Sequence, residues 1–324
     1  MRTIRIEGLE KPVSCLIQGS DYFSMDIYDK VCGVLDAFFK IGGNTIDTAH
    51  VYGGGNSERT IGQWMKDRGN RSDVVLLTKG AHHDSSGPRV TPEAIASDLN
   101  ESLERLGTDY VDLYALHRDD PSVPVGAIIE ALNAHIAAGR IKAIGASNWS
   151  VQRLQEASDY AAAHGLTGFS FSSPNLSLAK AKEPFWAGCV SAYADDCAWH
   201  ERNRFPLLSW SSQARGFFTG RYTPEVTDNT DLVRVFYSDD NWARLRRAEM
   251  LGKQKGASAI QIALAYVLNQ SFPACALIGA QTPEELESCR QGADIRLTRE
   301  ELHWLEYGEG HILKIAGMSS AASD

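Results

Sequence analysis

Two periods of hydrophobic and polar positions take turns along this chain. Short β-branched or apolar runs, suited to strands buried on both faces, are separated by longer stretches with apolar residues every third or fourth position. Residues 2 to 14 alternate about Gly8 like a small β-hairpin, and residues 15 to 19 (CLIQG) form a short apolar strand ending in Gly19-Ser20. From Ile27 the positions Val31, Val34, Leu35, Phe38 and Phe39 share one helical face. Gly42-Gly43 ends that helix, and Asn44 to Asp47 is a brief buried strand. Asn56 to Asp67 is helical, with Asn56 and Ser57 at its start.

The alternation persists to the end of the chain. DVVLLTKG is a strand from Asp73 to Lys79, and Thr91-Pro92 opens a helix whose buried stripe is Ile95, Leu99, Leu103 and Leu106. VDLYALH is a strand ending at His117, followed by a helix from Val125 to Ala138. Strand IKAIG leads to Ser147-Asn148, and Ser150 caps the next helix. GFSFSS ends near Ser173, a helix is expected around Gly188 to Glu201, and FPLLSW ends at Trp210. The stretch from Thr223 to Asp240 is polar and without clear periodicity, and is expected to lie over a site as a loop. Helices over Trp242 to Lys255 and Ala257 to Asn269 precede the last strand, ACALIG, which closes on Gly279. Two further helices start at Thr282-Pro283 and at the Thr298-x-x-Glu301 capping box.

After the hairpin there are eight strands, near residues 15, 44, 74, 111, 141, 168, 206 and 275, each followed by helix. That order predicts a (β/α)8 TIM barrel, α/β in class, with an N-terminal β-hairpin and long loops over the carboxyl-end face. We expect one domain over residues 1–324, with 309–324 a C-terminal tail. A doubly wound sheet is disfavoured: no strand runs into G-x-G-x-x-G, and the GGGNSE loop lacks the Lys-Ser/Thr of a phosphate loop.

A net charge of -9, with no cluster of Lys and Arg, argues against nucleic-acid or anionic-membrane partners and leaves a small molecule as the expected one. The N-terminus lacks an apolar signal core and no run is long enough to span a bilayer, so the expected location is the cytoplasm. The six cysteines are scattered without a C-x-x-C pair, a pattern of reduced, mostly buried thiols. His82-His83-Asp84 superficially resembles a metal cluster, but reads better as a polar loop, and no metal is expected. Asp119-Asp120 reads as a turn before a helix.

In a barrel of this kind the carboxyl ends of the strands share one face. Asp47, Tyr52, Lys79, His117, Ser147, Asn148, Ser173, Trp210 and Gly279 therefore converge although they are far apart in sequence. Each has an ordinary explanation alone, as a turn, cap or ion-pair residue. A tyrosine, lysine, aspartate and histidine together at strand ends are hard to obtain by chance.

These residues lie in segments that resemble the aldo-keto reductase superfamily: GGNTIDTAHVYGGGNSERTIG, LLTKG, DYVDLYALHRDD, GRIKAIGASNW and, more loosely, LLSWSSQARGFFTGRY and ALIGAQTPEEL. The resemblance implies an NAD(P)-dependent barrel oxidoreductase that interconverts a carbonyl, ketone or aldehyde, and an alcohol. It implies Tyr52 as general acid, Lys79 and Asp47 as its tuning partners, and His117 as the residue orienting the carbonyl. A phenol with a free pKa near ~10 needs a nearby cation to serve in both directions, and Lys79 held by Asp47 would supply it. His117 as a neutral donor would stabilise charge on the same oxygen.

The resemblance further implies a cofactor seat. Ser147 and Asn148 would meet the nicotinamide carboxamide, Trp210 would stack on the ring, and Ser211, Ser212, Gln213, Arg215, Gly216 and Arg221 would meet the pyrophosphate. Gly19, Ser20, Asp47, Ser173 and Gly279 complete the rim. Ser173 and Trp210 stand where the family usually has glutamine and tyrosine. At the adenosine end this chain has Gln281, Glu285, Ser288 and Cys289 where basic residues and a Glu-Asn pair are common. A carboxylate there would repel a 2′-phosphate, so NADH is expected to serve at least comparably with NADPH, unless Arg290 restores phosphate binding. Tyr22, Phe23, Trp149 and Phe236, in loops beyond strand ends, are candidate walls for a substrate that is small and cyclic or sugar-like, and the tail near His311 to Met318 is expected to contribute. A cofactor-binding sensor or regulatory subunit of the same superfamily is the second reading, and a barrel hydrolase or aldolase sharing only the fold is a third. Oligomeric state is not legible in the sequence.

Overall fold

The structure, a computed structural model, describes residues 1–308. The tail 309–324, and with it His311 to Met318, lies outside the described residues. Strands β1 (Thr3–Ile4) and β2 (Val13–Ser14) pair antiparallel as the expected hairpin. Eight parallel strands follow: β3 (Leu16–Gly19), β4 (Thr45–Asp47), β5 (Val75–Gly80), β6 (Val111–Leu116), β7 (Ile141–Ser147), β8 (Phe171–Ser173), β9 (Leu207–Ser209) and β10 (Ala274–Ile278). They close in sequence order, β10 pairing with both β9 and β3. Each strand position read from the sequence is recovered, and the chain forms a (β/α)8 barrel.

Helices α1 (Tyr28–Lys40), α2 (Asn56–Arg68), α3 (Pro92–Leu106), α4 (Val125–Ala137), α5 (Val151–His164) and α6 (Ala194–Asn203) alternate with the strands. Beyond β9 come α7 (Thr230–Phe236), α8 (Asp239–Lys255) and α9 (Ala259–Leu268), and α10 (Pro283–Asp294) and α11 (Arg299–Tyr307) follow β10. The caps explain the boundaries. Thr91 accepts from the Ala94 amide and Pro92 fills the first turn of α3, while Thr298 and Glu301 form the expected box at α11.

Three packed regions hold these layers together. Inside the barrel, Ile17, Val75, Leu77, Leu113, Phe171 and Leu208 meet Ile6 and Val13 of the hairpin, which therefore stops the amino end of the barrel. Gly8 makes that plug possible: its φ is +88°, and a Cβ there would stand 2.8 Å from the Lys142 carbonyl. One core between barrel and helices gathers residues from Phe23 to Trp199, and the other gathers mainly residues from Leu176 to Leu305.

Two expectations need correction. The 223–240 stretch is not all loop, because Asn229 caps α7 and Leu232, Val235 and Phe236 face inward on its single buried side. A helix of 7 residues is too short to show periodicity above its polar flanks. The helix expected from Gly188 begins at Ala194 instead, since Gly188 has φ +71° and the Ala192 amide is bonded to the Asn175 carbonyl.

Candidate active site

The register of the barrel brings the reactive residues together. Asp47 ends β4 and is paired with Gly19 on one side and Leu77 on the other. Tyr52 follows on a tight turn, Tyr52–Gly55, in which Gly53 and Gly54 both take positive φ. Three glycines let the chain reverse within four residues, which returns the phenol over the strand ends. Lys79 lies in β5, and His117 stands one residue past β6, its amide bonded to the Gly80 carbonyl at 2.8 Å.

The four side chains form one contiguous group. Lys79 Nζ donates to both Asp47 carboxylate oxygens, with the Oδ2 contact at 2.5 Å. It also donates to the Thr48 carbonyl at 2.9 Å and to the Tyr52 hydroxyl at 3.4 Å. The Tyr52 and His117 rings meet edge to face, 5.7 Å between centroids. Asp47 and Lys79 are almost fully buried, at 1% and 2% exposure, while Tyr52 is half-buried.

Burial and charge act against each other here. Desolvation pushes the Tyr52 phenol up, and the Lys79 charge offsets part of that rise, so the net direction is upward rather than the lowering expected from Lys79 alone. Desolvation works against the Lys79 ammonium, but Asp47 and Tyr52 together outweigh it and hold the ammonium above its ordinary range. Burial likewise lifts the Asp47 carboxyl against the pull of Lys79. His117 is driven well below the usual histidine range by desolvation, then by Lys79 and Arg118, so its ring is neutral near pH 7. Its Nδ1 is buried without a hydrogen-bond partner.

The rim around this group is partly engaged in its own bonding. Ser147 Oγ donates to the Ser173 carbonyl at 2.9 Å, and Ser173 Oγ to the Leu208 carbonyl at 2.7 Å. Asn148, at φ +61°, donates to the His117 carbonyl and Ser147 Oγ, and its Oδ1 accepts from the Trp210 indole at 3.1 Å. Asn148 thus ties His117 to Trp210. Ser20, Thr48 and Ser57 share a buried hydroxyl network at 2.7 and 2.9 Å. Ser211, Ala214, Arg215 and Gly216 all take positive φ, in a turn fixed by the Ser212 hydroxyl on the Leu277 carbonyl. Such a left-handed run, carrying Arg215 and followed by Arg221, fits a diphosphate. Gly279 is open on its Cβ side.

At the adenosine end, Glu285 accepts from the Gln281 amide at 2.7 Å, Cys289 contacts Gln213, and Lys30 donates to Gln281 at 3.0 Å. Arg290 is held by Glu287 and Asp294. Of the four candidate substrate walls, Tyr22 is half-buried, its hydroxyl donating to the Ala280 carbonyl. Phe23 and Trp149, in loops, and Phe236, the last residue of α7, are instead packed into the outer cores at 2%, 3% and 1% exposure.

Several supporting residues escaped the sequence reading. Glu58, wholly buried, accepts from Thr78 at 2.7 Å and Arg105 at 3.3 Å, locking α2 to the strand that carries Lys79. Asp98 accepts from the Ala81 amide at 2.8 Å and fixes the turn after β5, where Ala81 has φ +57°. His82 stacks edge-on to His117 at 4.8 Å and is half-buried, not a solvated loop residue. Only the acidic residue inside the α2 sequence, next to the glycine turn, offered a signal for Glu58.

The chain is thus a closed parallel barrel with Asp47, Tyr52, Lys79 and His117 gathered at one rim. The model for the Aldo/keto reductase family matches residues 25–306, and the chain belongs to that family. It is 31% identical to norsolorinic acid reductase stcV of Emericella nidulans, over 84% of this chain and 70% of that protein. It is 32% identical to aldo-keto reductase YhdN of Bacillus subtilis, over 75% and 72% of the two chains. A putative voltage-gated potassium channel subunit beta of Schizosaccharomyces pombe is 28% identical, over 84% and 80%. The protein is thus an oxidoreductase of a family that uses NAD(P)H to reduce carbonyl groups. Among the described residues, no helix is long and apolar enough to cross a membrane.

Proposed function

We propose that the protein interconverts a small ketone or aldehyde and its alcohol, with Tyr52 as general acid in reduction and general base in oxidation. The single observation carrying this reading is the Tyr52 hydroxyl 3.4 Å from an ammonium that is itself locked to a buried carboxylate. The nicotinamide, when bound, supplies or accepts the hydride. As negative charge develops on the carbonyl oxygen, Tyr52 hands its proton to that oxygen, and Lys79 stabilises the phenolate left behind. Asp47 keeps Lys79 charged in a site from which water is largely excluded. His117, neutral, donates to the same oxygen and fixes the angle at which the carbonyl presents itself. Asn148 positions His117 through its backbone carbonyl.

Ser211 to Arg221 would hold the diphosphate, Trp210 the nicotinamide ring, and Gln281, Glu285 and Cys289 the adenosine. We assign NADH a role at least equal to that of NADPH. Glu285 supports this, as does Arg290, whose guanidinium is already paired twice. Six cysteines free of disulfides support a reducing compartment such as the cytoplasm. The sensor reading draws on the name of the fission-yeast relative. The test is Tyr52→Phe: cofactor affinity by fluorescence titration stays within about twofold, while turnover falls by at least the ~10²-fold typical of a lost general acid. A variant keeping most of its kcat removes Tyr52 from the role, and a wild type without turnover on a panel of ketones and alcohols promotes the sensor.

A further inference from the structure

A cavity of about 280 Å³ opens between the turns that follow β5, β6 and β8, with His83, Asp84, Arg89, Arg118 and Asp119 in its wall. All but one of the formal charges there are matched. Arg89 is paired with Asp98 at 2.8 Å and Asp84 at 3.4 Å, and Asp119 with Arg153 at 3.4 Å. Arg118 has no carboxylate partner among the described residues, although it is only 7% exposed. Its Nη1 donates to the His117 carbonyl at 2.8 Å and its Nε to the Ala187 carbonyl at 3.2 Å, which fixes the guanidinium plane. Gly188 keeps the space beside it clear, since a Cβ there would stand 3.1 Å from Arg118 Cδ.

We propose that this cavity takes a carboxylate, and that the carboxylate belongs to the substrate. A buried guanidinium without a counter-ion is a costly arrangement that a bound anion relieves, and its fork matches a carboxylate in shape and charge. One unmatched positive charge between Asp84 and Asp119 suits a monoanion and disfavours a phosphate dianion. The cavity also lies beside the chemistry. Arg118 is the neighbour of His117 in sequence, and the His83 ring is 4.2 Å from His82, which packs at 4.8 Å on His117. The substrates are therefore carbonyl compounds that also carry a carboxylate. This assignment rests on the reductase reading for its choice of occupant, but not for the anion site itself.

The test uses the full-length protein, 4-formylbenzoate, its methyl ester and benzoate. Wild type should favour the acid over the ester at least tenfold in kcat/KM, and Arg118→Met should bring that ratio near one, with Arg118→Lys between. Benzoate, titrated calorimetrically, should bind wild type, lose at least tenfold in affinity in Arg118→Met, and compete with 4-formylbenzoate. Equal losses for acid and ester with benzoate binding unchanged would make Arg118 a mere brace for the 187 turn, and would overturn the proposal. Benzoate that binds through Arg118 without competing would place a free carboxylate there and overturn the substrate assignment. Benzoate binding lost in the variant, from a wild type that reduces neither aldehyde but does turn over other ketones or alcohols, would keep the anion site and overturn the substrate assignment, whereas no turnover on the whole panel would reject the reductase reading. If Arg118→Met does not fold, a wild type showing no preference for the acid and no competition by benzoate overturns the proposal.

Discussion

Removing the charge of Asp47 isolates what holds the reactive group together. Asp47→Asn is nearly isosteric and leaves the Lys79 ammonium, 2% exposed, without a counter-charge, held only by neutral acceptors: the new amide oxygen, the Thr48 carbonyl at 2.9 Å and the Tyr52 hydroxyl at 3.4 Å. Removing one member of a buried pair costs roughly 3–5 kcal/mol, because the remaining charge keeps its desolvation penalty without its partner. Lys79→Met should cost a similar amount, for the carboxylate that remains. The double variant leaves neither charge behind, so it should be less destabilised than the sum of the two by about 2–3 kcal/mol. Urea unfolding of all four proteins at pH 7, with the slopes compared to confirm a common transition, measures each quantity. Turnover should be lost in all three variants, so stability and not activity carries the coupling. Additive effects, within about 0.5 kcal/mol, would show that the two groups do not stabilise one another, and the account of a primed ammonium would fail.

Acid should weaken the fold from about pH 6.5 downward, the range in which unfolded histidine takes up protons. His117 and His200 are both held below that range chiefly by desolvation, so the unfolded chain binds more protons there and stability falls as pH falls. Each contributes up to ~1.4 kcal/mol per pH unit below 6.5, and His200→Gln should flatten the measured slope by its share; an unchanged slope would contradict the neutral buried ring. Phe236→Ala, which empties a position packed against Phe185 and Phe217, should cost about 3–5 kcal/mol in urea unfolding. A cost under ~1 kcal/mol with a raised KM would return Phe236 to the substrate wall. Measured kcat/KM for the two nicotinamide cofactors should lie within about tenfold, and a hundredfold preference for NADPH, about 2.7 kcal/mol, would reject the part given to Glu285.

What the sequence made legible was the repeating part of the structure. The strands announce themselves because a parallel barrel strand is buried on both faces, as at Val75 to Gly80 and Val111 to Leu116, where every residue is buried. The reactive rim followed from the strand ends, so Asp47, Lys79 and His117 needed no further information. Loops gave less. Phe23, Trp149 and Phe236 look alike in sequence whether they face a cavity or a core, and only the local backbone, a turn at Phe23 and Trp149 and the short helix α7 at Phe236, sends them inward. The second layer around the site was also hidden, since Glu58, Asp98 and Arg118 act through partners 20, 17 and 69 residues away.

The two outer cores divide the molecule along the chain as well as in space. Asp47, Tyr52, Lys79 and His117 stand over the earlier core, whereas Trp210 through Cys289 stand over the later one. The proposed proton-handling group and the proposed diphosphate and adenosine seat thus lie on separate stretches of polypeptide, which touch where Asn148 meets Trp210, Lys30 meets Gln281 and Tyr22 meets Ala280. Cofactor choice can therefore be altered by substitution in the second stretch without a change in the bonds that hold Lys79 to Asp47.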